Sequence, residues 1–546
     1  MWFVPFLDSL LLYGGLTRKD LTFDKDLSTR TLLKPAPVLR FLNDPLALVG
    51  WASDSVKAYA QLEPRDVPAT FYPVRYRPVK MRTKFTLKDS VIKGTVEALH
   101  CVTYFTDRAF VKLGRRRDSL RTLLKRMWDP GSSEGDTLTH AQVILLADSV
   151  DYNLLLNALS CLLSLDSSLV PKMEGDFQYE YVTAFGKVAV GGTGSNTYEG
   201  DYVAIYDFGG DDDYLLSSSP VLIMDLSGDD RYSGEFAAGV FGVSVLYDYS
   251  GDDVYKCEGV CAGVGLAGFG VLYDAEGDDY YSGGFHSLGA GTFGGGYLID
   301  GGGNDIYKAV IYGEGFAGTY GVGVLSDHGG NDVYTLGYGP IHKPLFLRQR
   351  QAMGQGFSLG WRDRFGGGVG ILADASGNDH YAAGTYAQGV SYWYGLGVLY
   401  DGGGDDRYTC AEYCQGAGIH LSVGALVDKD GDDLYYAYYG PSIGEGHDLS
   451  VGFFYDSTGN DTYYTSGGFG VGLTNSVGIF VDGDGKDNYA SREENISFGG
   501  ANVQREMGGI GIFLDLGSDP DIYPYGSHAR NGSLWVRPKW GLGWDR

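Results

Sequence analysis

Carboxylates recur along this chain in a pattern that suits a hard cation. Eleven copies of an octet run Asp, two variable residues, Gly, a polar residue, Asp, one variable residue, Tyr, as in DFGGDDDY from Asp207, DYSGDDVY from Asp248, DGGGNDIY from Asp300 and DSTGNDTY from Asp456. The first-place residues are Asp207, Asp225, Asp248, Asp274, Asp300, Asp327, Asp374, Asp401, Asp428, Asp456 and Asp482. The sixth-place residues are Asp212, Asp230, Asp253, Asp279, Asp305, Asp332, Asp379, Asp406, Asp433, Asp461 and Asp487. A degenerate copy, DLGSDPDIY, starts at Asp515, and an earlier relic, GGTGSNTY, starts at Gly191 with Asn196 in the acidic place. Two carboxylates one strand spacing apart, about 4.8 Å, repel by about 1 kcal/mol in water and about 3.5 kcal/mol at an effective dielectric of 20. A column of them calls for counter-ions. Carboxylates beside a turn's free carbonyls suit Ca²⁺, which takes about six to eight oxygens at roughly 2.3–2.6 Å, and Gly at the fourth place lets the turn aim its carbonyls. The competing assignment is metal-free, with Asp and Asn side chains capping turn amides.

Such a column needs elements that bring the octets together. The anchors are spaced by 18 and 23, then 26, 26, 27, 47, 27, 27, 28 and 26 residues, with 33 to the last copy. The spacing of 47 is one period plus about 20 inserted residues centred on 338–357. Between octets the chain alternates with period two, as in Phe269-Gly270-Val271-Leu272-Tyr273, which argues for strand, while the octet argues for turn. A single coil of this length cannot bury its own apolar face and must stack on its neighbours. The expected fold is therefore mainly β: a right-handed parallel β-solenoid of about 12 coils over 188–525, a rod on the order of 55–60 Å long with an octet at one corner of each coil. The octet tyrosines, Tyr232 to Tyr489, become a structural column of rings. Residues 1–187 lack the repeat and read as a smaller helical or α+β domain able to cap the rod, with strand character at 70–88 and helices at 90–127 and at 137–165, the latter capped by Thr139. Residues 526–546 form a C-terminal aromatic tail or cap.

Charge is divided as unevenly as the repeat. The chain has 546 residues and a net charge of −27, with +4 over residues 1–187 and −31 over the remainder. So acidic a surface repels phosphate backbones and excludes nucleic acid as its partner. With 86 Gly but only 17 Pro and no Gly-x-y period, collagen is excluded too. No run of 18 apolar residues exists, so no transmembrane helix is expected, and a standard signal peptide is not evident in Met1–Asp8.

The run Asp300-Gly301-Gly302-Gly303-Asn304-Asp305-Ile306-Tyr307 resembles the RTX, or hemolysin-type, calcium-binding nonapeptide Gly-Gly-x-Gly-x-Asp-x-apolar-x, and residues 191–199 fit the same frame with Asn196 in place of the ligand Asp. The resemblance implies Ca²⁺ held between successive turns, with the ligand role falling to the sixth-place aspartates from Asp212 to Asp487. RTX motifs recur every nine residues, whereas this turn recurs every 26–27 and mostly carries Asp for the first Gly. The likeness thus covers about eight residues per coil, an RTX-like turn on a larger solenoid. An EF-hand at Asp428-Lys429-Asp430-Gly431 fails, because its twelfth position is Tyr439.

Four further features bear on function. Cys257/Cys261 and Cys410/Cys414 hold equivalent places in two coils, as local disulfide clips, free buried thiols or metal ligands. Glu314, Gln355, Gln388, Gln415 and Glu445 each precede Gly, as a stacked amide ladder or as a carbohydrate-binding or catalytic stripe. The insertion carries His342, Lys343, Arg348, Arg350, Arg362 and Arg364, as a partner-binding loop or a solvated elaboration. Arg115, Arg116, Arg117, Arg121, Lys125 and Arg126 form a basic run, which reads as a solvated helix face or a contact for an anionic surface. No catalytic constellation stands apart from the repeat. The expected function is a non-enzymatic, calcium-stabilised repeat protein, extracellular or at the cell surface, serving as a structural, adhesive or filament-forming element whose partners are further copies of itself, head-to-tail or lateral, or surface glycans. The alternative is a β-helix polysaccharide-active enzyme or carbohydrate-binding module.

Overall fold

A computed structural model describes residues 2–22, 31–78, 91–127, 138–165, 173–343, 348–493, 496–504, 507–538 and 540–546. The chain is mainly β, a parallel β-solenoid of about 12 coils, with eight α-helices in its N-terminal region among the described residues. It divides into two compact units: Leu62–Gly315 with Tyr320–Ser326, and Met1–Gln61 with Phe316–Thr319 and Asp327–Arg546.

In the first of these units each full coil contributes three strands. Strands ending at the anchor aspartates, such as Val243–Tyr247, Phe269–Asp274 and Gly295–Asp300, pair parallel and in register, so that Leu246, Leu272 and Leu298 stack. Strands beginning just after the octets, from Thr197–Gly200 to Ile306–Ile311, align Tyr198, Tyr214, Tyr232, Tyr255, Tyr281 and Tyr307. Short strands Ala238–Val240, Val264–Leu266 and Gly291–Thr292 complete the coil. The helix Tyr152–Leu163 lies on Val243–Tyr247 and Phe269–Asp274, and the Phe71 ring sits 5.0 Å from that of Phe269. Because helices cover the outer face of this sheet, its strands are buried on both sides and read as continuous apolar runs, whereas the tyrosine strands alternate between core and solvent.

The other unit repeats the plan. Val369–Asp374, Leu396–Tyr400, Val423–Val427, Val451–Asp456, Val477–Asp482 and Ile510–Asp515 form its long sheet, with Pro45–Asp54 packed on Val423–Val427 and Val451–Asp456. The helix Val4–Tyr13 packs on the last parallel strand, Gly541–Asp545. In each unit the long sheet ends in an antiparallel strand: Gln178–Thr183 on Gly186–Gly191 in one, Leu534–Arg537 on Gly541–Asp545 in the other.

Local differences from the sequence reading have local causes. The helix expected at 137–165 is two, His140–Ser149 and Tyr152–Leu163, because the Asp151 carboxylate accepts the Leu154 N–H and starts a new helix there. Thr139 caps the first of them through a reciprocal pair with Gln142. The helix expected at 90–127 is likewise Val91–Ala109 and Arg116–Met127, separated by a stretch in which Gly114 has φ +53°. Residues 71–78 contain no strand, and 79–88 lie outside the described residues. The inserted residues enter at two places, 338–350 and 360–368, judged from the register of Gln351 with Thr385 and of Val369 with Leu396.

Glycine at the fourth octet place answers a double constraint. Gly277 and Gly404 have φ +157° and +150°, and a Cβ on either would strike the carbonyl oxygen of the equivalent glycine one coil back, Gly251 or Gly377. Gly404→Ala is expected to destabilise the chain by about 1–3 kcal/mol from backbone strain alone, with the clash adding to it. Thermal unfolding followed by circular dichroism tests this, and an unchanged midpoint would refute it.

Candidate metal centre

The octets place their aspartates in two buried columns with different hydrogen-bond duties. Each sixth-place Oδ1 accepts the backbone N–H of the sixth-place residue one coil back: Asp212 to Asp230, Asp230 to Asp253 and Asp253 to Asp279 in one unit, Asp379 to Asp406 and Asp406 to Asp433 in the other, all at 2.6 Å. Most first-place aspartates use Oδ1 to accept the N–H two residues on, as in Gly302 to Asp300 and Gly403 to Asp401, both 2.8 Å, whereas Oδ1 of Asp248, Asp274, Asp456 and Asp482 is buried without such a bond. Their Oδ2 accepts the tyrosine hydroxyl of the preceding octet: Tyr232 to Asp248, Tyr255 to Asp274, Tyr381 to Asp401 and Tyr408 to Asp428, each at 2.6 Å. The tyrosine column therefore does more than pack. Its rings stack in parallel, 4.8 Å apart for Tyr255–Tyr281 and Tyr381–Tyr408, and each ring also carries a donor to a buried carboxylate.

Several oxygens of the sixth-place column are left over, while Oδ2 of Asp253, Asp279, Asp433 and Asp461 accepts a longer bond, 3.2–3.5 Å, from the tyrosine hydroxyl two residues on. Oδ2 of Asp212, Asp230, Asp379, Asp406 and Asp487 is buried and accepts no hydrogen bond, on residues at most 3% exposed. Asp212 and Asp230 belong to the triads Asp207–Asp212–Asp225 and Asp225–Asp230–Asp248, and the column continues as Asp248–Asp253–Asp274 and Asp279–Asp300–Asp305; in each triad one carboxylate oxygen per residue lies within 4.8 Å of the others. That is the span across a coordination sphere with metal–oxygen distances of about 2.4 Å. Burial, and then the charge of neighbouring aspartates, pushes Asp212 and Asp433 up to about 9, Asp253 to about 10 and Asp406 to about 11. Burial raises Asp248 and Asp401 as well, opposed by the hydroxyls of Tyr232 and Tyr381. At neutral pH such a column holds either cations or protons.

A second, exposed ladder runs beside the first. Fifth-place side chains accept the N–H of the next coil's fifth-place residue, from Asp229 to Asp211, Asp252 to Asp229 and Asn304 to Asp278, and again from Asp405 to Asn378 and Lys486 to Asn460. This outer ladder uses Asp, Asn and once Lys. In the inner one every full octet has Asp, although an Asn oxygen would accept the same N–H.

The first coil shows what an amide does at the inner place. Asn196 donates from Nδ2 to Asp207 Oδ2 at 3.1 Å and to Gly194 O at 2.8 Å, a neutral donor in the place where the other coils carry a second carboxylate. At the last coil Asn531, outside the repeat, accepts the Asp521 N–H through Oδ1 at 2.6 Å, standing where the next aspartate would be. Sequence reading found both aspartate columns but missed the tyrosine–aspartate bonds and the part played by Asn531. Tyr eight residues into every octet was the available signal for the former; nothing in the period marks the latter.

The remaining candidates fall elsewhere. All six cysteines are paired: Cys257–Cys261 and Cys410–Cys414 form local clips with Cα atoms 6.4 and 6.5 Å apart, and Cys101–Cys161 joins two helices. Gln355, Gln388 and Gln415 are fully buried, and their Nε2 groups donate to carbonyls of the tyrosine strands, Tyr334, Tyr381 and Tyr408. Glu314 is fully buried too, while the stripe position in Glu445's coil belongs to Ile443, which shares the positive φ of the glutamines. In the insertion His342 packs on Tyr386, and Arg362 donates to the Tyr392 hydroxyl at 3.4 Å, while Lys343, Arg348, Arg350 and Arg364 are exposed. In the basic run Arg117 lies over Phe110 and donates to the Phe241 carbonyl, and Lys125 pairs with Glu235 at 2.8 Å. No family model, curated protein or solved structure matches this chain.

Three outcomes are expected. Asp406→Asn retains the acceptor for Asp379 N–H and adds a donor, so in EDTA it should unfold at a higher temperature than the parent. Asp406→Ala, which strands that N–H, should lose about 1–3 kcal/mol. Folded-state carboxyl values above the ordinary 3.8 mean that the metal-free chain binds more protons than the unfolded one. Their contribution is full below that value and is lost as pH rises through about 9 to 11, so unfolding temperature in EDTA should fall steadily on the alkaline side. Calorimetry across pH 5–10 reads this directly, and a flat profile would contradict it.

Proposed function

We propose that this protein is a non-enzymatic repeat scaffold whose buried aspartate columns bind Ca²⁺, one ion for each coil. One contrast carries the reading: the outer ladder accepts its N–H groups with Asp or Asn, while the inner ladder, with a like backbone duty, keeps Asp and in several coils leaves an oxygen over. Two buried carboxylates per coil are neutralised by one divalent ion, and an all-oxygen donor set favours Ca²⁺ over softer metals. The RTX-like turn points the same way. Extracellular Ca²⁺ modules work at roughly 0.1–1 mM, and a repeat protein that relied on such concentrations would act outside the cell, as a surface, matrix or adhesive element. Self-association is part of this proposal. The end strands Gln178–Thr183 and Leu534–Arg537 pair on one edge only among the described residues, and they expose Tyr179, Tyr181 and Val182, and Leu534 and Val536. The polysaccharide-enzyme alternative has less support, since Glu314 and the glutamines of its stripe point into the coil.

A shared-proton column is the second reading, favoured by the raised carboxyl values. Metal analysis of the full chain, with thermal unfolding in EDTA and in millimolar Ca²⁺, separates the two. Several Ca²⁺ per chain and an unfolding temperature that climbs with Ca²⁺ concentration are expected. No bound metal and no shift would leave the protons in place. Sedimentation with Ca²⁺ present tests assembly, and a monomer at every concentration would exclude it.

A further inference from the structure

A groove of about 520 Å³ in the unit that contains residues 327–546 is separate from the aspartate columns, and its volume falls in the range of small-molecule sites, about 300–1,000 Å³. Trp540 forms one wall. Its indole rests against Gly508, where any Cβ would strike ring atoms Cζ3 and Cε3, yet the residue is 46% exposed. A large aromatic laid along a glycine backbone, with nearly half its surface open, is a platform rather than a core residue.

The rest of the lining is complementary to such a platform. Leu16, Val477 and Ile510 supply apolar surface. Two polar groups are placed among them. Asp20 receives the Thr17 N–H and hydroxyl at 2.6 and 2.8 Å, both on Oδ2, so neither of these bonds uses Oδ1. Those bonds hold the Asp20 carboxyl below its usual range, hence ionised at neutral pH. Asn475, at a corner with φ +52°, makes no side-chain hydrogen bond with any described residue.

We propose that this groove binds a neutral oligosaccharide, a pyranose resting its C–H face on the Trp540 indole while its hydroxyls bond Asp20 Oδ1 and the Asn475 carboxamide. A pyranose presents an apolar face and a ring of groups that both donate and accept, which uses all three features. An organic cation would use the indole and Asp20 but leave the carboxamide idle. A purely apolar ligand would strip water from both polar groups without replacing it.

Calorimetric titration of the full chain with cellohexaose, chitohexaose and maltohexaose, and with choline as the cationic probe, tests this. At least one hexasaccharide is expected to bind with a Kd between about 10 µM and 1 mM. Trp540→Ala should weaken it at least about 10-fold, and Asn475→Gly, which suits the left-handed corner, at least about 3-fold. Circular dichroism establishes that each variant is folded, and Asn475→Gly decides alone if Trp540→Ala is not. No heat with any of the three sugars, heat with choline only, or an unchanged Kd in the folded variants would overturn the proposal. None of these readings depends on whether the aspartate columns hold Ca²⁺.

Discussion

Taking a carboxylate out of water costs several kcal/mol unless its charge and lone pairs are answered, and this chain does so twice in every full coil. The answer is divided among three kinds of group. A backbone N–H from the preceding coil meets one oxygen, a stacked tyrosine hydroxyl meets another, and an N–H within the turn meets a third. What is left over is a set of buried oxygens with no protein donor, on sixth-place residues such as Asp230 and Asp406 and on first-place residues such as Asp248 and Asp456. Stacking is both the cause and the remedy. Register brings like charges within 4.8 Å of one another, and the same register makes a site for a shared counter-charge.

Register in turn depends on the glycines and tyrosines. Glycine at the fourth octet place lets consecutive turns approach until Cα meets carbonyl, closer than any side chain permits. Tyrosine rings 4.8 Å apart and nearly parallel match the strand spacing, so ring packing and backbone pairing reinforce one another. The outer ladder at the fifth place shows the same hydrogen-bond device in water, where identity is free to vary because solvent answers whatever the side chain leaves undone. Position in the coil, not hydrogen bonding alone, separates a strict place from a permissive one.

The helices complete the core rather than standing apart from it. In each unit they cover the outer face of the long sheet, which is why those strands are apolar on both faces while the tyrosine strands alternate. Glutamines at a left-handed corner carry amides inward to spare carbonyls, an arrangement invisible in a pattern of Gln before Gly.

The parallel solenoid, its period, the two aspartate columns and the tyrosine column were legible because repetition places chemically equal residues at equal spacing, and stacking leaves one way to superimpose them. Thr139 as a helix cap was legible because capping is local. Tertiary structure decided the rest. Only the folded coil aims each tyrosine hydroxyl at the next anchor aspartate, since that contact spans about 20 residues of chain, as between Tyr381 and Asp401. Register puts Ile443, 15 residues after its anchor, at the corner that Gln415 holds 14 after its own, which leaves Glu445 two residues beyond it. Asn531, beyond the repeat, enters the column only through the folding back of the C-terminal segment. Period determines which residues stack. Which of their atoms meet is a matter of a few ångströms and of side-chain direction, and those exist only once the coils have closed on one another.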